Sequence, residues 1–248
     1  MMLSQTIDKL HRLKLSAMAQ AFEDQSRQTV YGELAFEERF GLLVDREMAE
    51  RDNRKLTTLL KGAKLRFPQA CPEDIDFRTA RGLSREAILS LCQNGWVTNR
   101  QNVIITGPTG AGKTFVACAL AASACRAGLS GHYLRLPRLL QELHVAKADG
   151  SYGKVLTRLA KYAVLVIDDW GLAKLTERER RDLLEILEDR YDLKSTIVSS
   201  QIPIEKWHDL IGDPTIADAV LDRLVHNAHQ ITFSMKGDSM RKLLSKKT

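Results

Sequence analysis

Residues 107–114 read Gly-Pro-Thr-Gly-Ala-Gly-Lys-Thr, and their types and spacing define a chemistry more directly than any other stretch of the chain. The pattern G-x-x-x-x-G-K-[ST] predicts a loop whose backbone N–H groups turn inward on a run of phosphates. Gly107, Gly110 and Gly112 let the loop wrap closely, with Pro108, Thr109 and Ala111 completing the turn. Lys113 is placed to reach the β- and γ-phosphates and the Thr114 hydroxyl to ligate Mg²⁺, with Phe115 ending the contact. A second constellation is Asp168-Asp169, which follows the apolar run Val164 to Ile167. Carboxylates at the C-terminal end of a buried parallel strand face the ligand crevice. Asp168 is expected in the Mg²⁺ shell, and Asp169 is expected to orient and polarise an attacking water. Without the loop upstream, the pair reads equally well as an acidic strand cap.

These groups need a strand before the loop, a helix after it, and a parallel sheet to bring the aspartates alongside. From residue 84 onward the chain alternates accordingly. Strand-like runs occur at 102–106, 131–136, 163–168, 195–200 and 230–234. Helical patterns lie between them at 112–127, as a pair across 137–162, at 176–191, and at 203–228 with a break at Gly212–Pro214. The expected fold class is therefore α/β with a central parallel sheet covered on both faces. Residues 3–66 carry apolar side chains at helical spacing, Leu10, Leu13, Ala17, Met18, Ala21 and Phe22 first, then Phe36, Phe40, Leu43, Val44 and Met48. The turn-rich stretch 67–77 then breaks the period. The predicted organisation is a helical N-terminal domain at 1–68, a linker at 69–83, and an ATPase domain at 84–248.

Composition narrows the class. A net charge of +6 is compatible with an anionic partner without requiring one. The longest apolar run, Phe115 to Cys125, is shorter than the ~20 residues a membrane helix needs. With no signal-like N-terminus, a cytoplasmic location without a membrane partner is expected. Cys71, Cys92, Cys118 and Cys125 lack metal-ligand spacing, and the last two read as small core residues of a helix. Trp96, just before the first strand, either packs in the core or lines an adenine pocket.

The loop, the aspartate pair and the stretch QIPIEKWHDLIGDPTIADAVLDRLVHNAHQI…GDSMRK together resemble the IstB-like AAA+ ATPases, the transposition helpers of bacterial insertion sequences. The resemblance runs over essentially the whole chain. It implies an AAA+ module with a much reduced lid, ATP and Mg²⁺ as cofactors, ATP-dependent homo-oligomerisation, largely sequence-independent binding of duplex DNA, and a transposase as partner. It assigns Gln201, or its neighbour Ser200, to sensing the γ-phosphate. Arg223 is similar to an arginine finger that reaches a neighbour's ATP, and Arg241 to a second sensor arginine. The pair of helices at 137–162, with Arg135, Arg138, Lys147, Lys154, Arg158 and Lys161, is the expected DNA-facing element; the basic stretch 46–66 and the Lys/Arg-rich C-terminal tail are the alternatives. Two rival functions share the core: a helicase loader of the DnaC type and a P-loop kinase, although a kinase has no need of Asp169.

Overall fold

The computed structural model describes residues 2–77 and 81–234, which form two compact units, Met1–Thr58 and Leu59–Thr248. The first unit is helical, with α1 (Met2–Arg12), α2 (Ser16–Arg27) and most of α3 (Phe36–Ala63). Its internal tie is Glu47 of α3, only 4% exposed, whose carboxylate accepts the backbone N–H groups of Ala17 and Met18, each at 3.0 Å. Those amides belong to the first turn of α2, where no carbonyl of the helix itself can reach them. A carboxylate there also meets the positive end of the helix dipole.

In the second unit, α4 (Arg85–Cys92) and α5 (Gly95–Thr98) lead into an alternating series. It runs β1 (Asn102–Thr106), α6 (Lys113–Arg126), β2 (Gly131–Arg135), α7 (Leu136–Ala148), α8 (Tyr152–Lys161), β3 (Val164–Trp170) and α9 (Glu177–Glu188). Then come β4 (Ser195–Ser200), α10 (Trp207–Ile211), α11 (Pro214–Val225) and β5 (Ala228–Thr232). Every strand pairing is parallel, in the order β2-β3-β4-β1-β5. The alternation read from the sequence holds, with β3 running two residues further and β5 beginning two residues earlier. No helix among the described residues is long and apolar enough to cross a membrane.

Burial explains the elements. Strands β1 and β4 are buried at every position, as central parallel strands covered on both faces must be. Side chains alternate between the two faces. Ile104, Leu165, Ile167 and Val198 join the core built with α7, α8, α9 and α11. The opposite face is covered by α6, whose Ala- and Cys-rich sequence is buried from Val116 to Cys125. Small side chains let this helix lie close against the sheet. Cys118 and Cys125 are among them, and burial raises both thiol pKa values, that of Cys118 to about 11.

Arg190 is the largest polar group in this core, 1% exposed. It donates to the carbonyls of Leu159, Tyr162 and Ser195 and to Thr196 Oγ1. One guanidinium thereby joins the end of α8, the start of β4 and the turn after α9.

Candidate functional site

Strand β1 ends at Thr106, and the chain leaves the sheet through Gly107, whose φ is +139°. A Cβ on Gly107 would lie 2.6 Å from both the Cβ and the carbonyl oxygen of Phe233, so the close approach demands glycine. Gly112, at φ +97°, closes the loop and caps α6. Lys113 is 7% exposed, and its Nζ donates to the carbonyls of Gly107 (2.7 Å) and Pro108 (2.9 Å). The ammonium thus lies across the mouth of the loop it would share with phosphate oxygens. Behind the loop, Arg81 is 4% exposed and donates to the Ala111 carbonyl at 2.7 Å and to the Asp76 carbonyl. Its guanidinium stacks over Phe233 at 5.6 Å.

The aspartates sit at an irregularity in β3. Ile167 pairs with Val198 and Trp170 with Ser200, so three steps on β3 oppose two on β4. The extra residue is a bulge, and Asp169 takes it up at φ +59°, a conformation that disfavours most side chains. By alternation Asp168 shares the face of Val164 and Val166, towards α6. Beyond the bulge the parity is reversed, and Trp170 returns to the opposite core against Trp207, 5.0 Å between ring centroids. Asp168 is 1% exposed and accepts hydrogen bonds from Thr114 Oγ1 (2.9 Å) and the Tyr133 hydroxyl (2.7 Å). Burial, then the Asp168 carboxylate, pushes the Tyr133 phenol well above its ordinary pKa. Asp169 also lines the cleft and is ion-paired with Arg135, the last residue of β2.

Gln201, just past β4, touches the loop: Thr109 Oγ1 donates to its Oε1 at 2.7 Å. The Ser200 hydroxyl instead serves the corner, donating to the Trp170 carbonyl and accepting from the Ile202 amide. Lys113, Thr114, Asp168, Asp169, Gln201 and the loop therefore surround one cleft of about 970 Å³. Arg223 stands elsewhere, at the N-terminal end of the sheet. The carbonyl of Arg223 accepts from Asn102, which begins β1, while the guanidinium pairs with Glu188 and lies over the Tyr191 ring at 5.8 Å. Arg241 lies outside the described residues. Trp96 is in the core, 3% exposed, with its indole N–H on the Leu91 carbonyl at 2.9 Å.

The sequence reading gave no role at this site to Tyr133 or Phe67, and took Arg135, and Arg66 within the stretch 46–66, only as candidates for DNA. Tyr133 and Arg135 lie on β2, and their role depends on β2 pairing beside β3, which no local pattern reveals. Arg66 and Phe67 line the cleft together with Arg81, from a stretch whose turn-rich composition reads only as a connection.

Comparison with known proteins gives the family. The sequence profile of the IstB-like ATP binding proteins matches residues 8–248. An insertion-sequence ATP-binding protein of Sinorhizobium fredii is 47% identical over 237 residues, covering 96% of each chain. One from an insertion sequence of Pseudomonas fluorescens is 50% identical over 203 residues, covering 82% of this chain and 88% of that one. Among solved structures, the DnaC helicase loader superposes with a TM-score of 0.58 at 21% identity, covering 68% of this chain and 99% of that one. The replication initiator DnaA bound to AMPPCP and single-stranded DNA reaches 0.58 at 18% identity, covering 73% and 54%. At that identity the structural likeness establishes the AAA+ fold and nothing finer, whereas the match over nearly the full sequence establishes kinship: this chain belongs to the IstB-like ATP-binding protein family.

Proposed function

We propose that this chain hydrolyses ATP, assembles with copies of itself on duplex DNA while ATP is bound, and assists a transposase. The observation that carries the hydrolytic part is the bulge in β3, which turns two consecutive carboxylates towards one phosphate loop. The loop amides and Lys113 hold the triphosphate. The Thr114 hydroxyl and the buried Asp168 carboxylate, 2.9 Å apart, are the hard oxygen pair that suits Mg²⁺, which when bound offsets charge on the β- and γ-oxygens. Asp169 orients the water whose oxygen attacks the γ-phosphorus as the bond to the β-bridging oxygen breaks. Gln201 reports on the γ-phosphate from the rim of the loop.

Arg223 lies at the end of the sheet remote from its own loop, which suits a finger acting on a neighbour's ATP. Arg241 is the second sensor under this reading. The helical region 1–68 makes partner or DNA contacts, joined by the linker 69–83 to the ATPase domain 84–248. The name of each close relative ties it to an insertion sequence, and that context supports a transposase as partner. For DNA, α7 and α8 offer Arg138, Lys154 and Lys161, all exposed. Lys147 is held by Asp182 and Arg158 by Glu142, so these two contribute less than their charge suggests.

The test is steady-state ATP turnover by wild type and Asp169→Asn, with and without duplex DNA, alongside sedimentation. Wild type should turn over faster and sediment faster with DNA and ATP, in a manner steeply dependent on salt. Asp169→Asn should bind ATP, remain in the fast-sedimenting DNA complex, and lose about a hundredfold or more in rate. Turnover and sedimentation indifferent to DNA would remove the assembly from the proposal; an Asp169→Asn rate equal to wild type would remove the aspartate.

A further inference from the structure

The cleft extends past the phosphate loop, and its far wall differs in chemistry from the loop. Arg66, Phe67 and Pro68 line it, together with Arg81, Asp74 and Asp76. The Phe67 ring is 5.8 Å from that of Phe115, at an interplanar angle of 57°. Phe115 directly follows Thr114, so its ring begins where the phosphate-binding residues end. Phe67 is 41% exposed, an apolar ring left in water at the lip of the cleft. The Arg66 guanidinium stands over its face at 6.0 Å. The loop and Lys113 draw the anionic part of a ligand, whereas Phe67 and Phe115 offer flat apolar surface to its uncharged part. A neutral flat group joined to the phosphates therefore belongs beside the two rings. Trp96 offers no competing surface, because it is buried in the core.

We infer that Phe67 and Phe115 form the base-binding subsite, gripping the purine of the nucleotide by aromatic stacking. The inference rests on the reading of residues 107–114 as the triphosphate site and adds the part of the ligand that reading leaves unplaced. Stacking against an aromatic ring strengthens with the size of the flat surface covered, so a purine nucleotide is held more tightly than a pyrimidine one.

Equilibrium titrations of the full chain, with Mg²⁺ present, separate the two readings. The probes are ATP, UTP and inorganic tripolyphosphate, which has the charge but no base. Phe67→Ala should weaken ATP by about five- to a hundredfold and leave tripolyphosphate within about twofold. The preference of wild type for ATP over UTP should shrink in the same variant, and Phe67→Tyr should restore it. Unchanged ATP affinity in Phe67→Ala, or equal losses for ATP and tripolyphosphate, would overturn the subsite. Failure of wild type to bind both ATP and tripolyphosphate would overturn the phosphate-site reading beneath it.

Discussion

The two ends of the sheet handle charge in opposite ways. At the C-terminal end, Lys113 leans on carbonyls of its own loop and Asp168 gathers two hydroxyls, groups that a triphosphate and its metal can take over. At the N-terminal end, Arg190 is consumed entirely by the chain, its donors spent on Leu159, Tyr162, Ser195 and Thr196. Both cations are buried, at 7% and 1% exposure, so burial does not distinguish a site from a scaffold. The distinction lies in the space beside the cation. Lys113 borders an open cleft, whereas Arg190 is enclosed by the segments it joins. A buried charge enclosed by the segments it joins stabilises the fold, and one that borders a cavity can serve a ligand.

The sharpest way to break this comparison is at Arg190. Arg190→Met should cost about 3–5 kcal/mol of stability, because several buried acceptors lose their only charged donor at once. ATP affinity of the folded fraction should stay as in wild type. Chemical denaturation read alongside nucleotide titration checks both, and a loss of ATP affinity with unchanged stability would reverse the assignment. Lys113→Ala should behave in the opposite manner. ATP affinity should fall by about a hundredfold, the equivalent of one or two charge-assisted hydrogen bonds, with little change in unfolding midpoint. Two variants with the same profile would erase the distinction between the ends.

The smallest effect is expected in the helical unit, where Glu47 belongs to the scaffold class. Arg51, then the amides of Met18 and Ala17, hold its carboxyl below the ordinary value of 4.5. A depressed carboxylate contributes stability that is present above its unfolded pKa and lost as pH falls through the folded one. Glu47→Gln should therefore lower the unfolding midpoint of the helical unit modestly near neutral pH. The gap from wild type should close as pH drops below 4.5. Thermal melts followed by circular dichroism across that window check the sign, and a gap that widens in acid would rule out the capping role.

The loop, the aspartate pair and the alternation of strand and helix were legible because each is written within a single short segment. The spacing of Gly107, Gly112, Lys113 and Thr114 is a property of one strand–loop–helix unit, and the period of apolar residues reports burial directly. The order of the strands was not legible, and much of the site's wiring depends on it. Tyr133 and Arg135 reach Asp168 and Asp169 because β2 pairs with β3, a contact across 34 or 35 positions that leaves no trace in either segment. The different settings of Gln201 and Ser200 are likewise visible only in space: the serine hydroxyl is taken by the corner at Trp170, and the glutamine meets Thr109 across 92 positions. The bulge at Asp169 follows the same logic, since only pairing with β4 reveals that β3 carries one residue too many. Local geometry is encoded by neighbours in sequence and survives without the rest of the fold, whereas hydrogen bonds between distant strands exist only after the whole sheet has formed. The sequence alone thus determined that a phosphate loop and two carboxylates are present, and the tertiary structure decided which side chains hold each carboxylate in place.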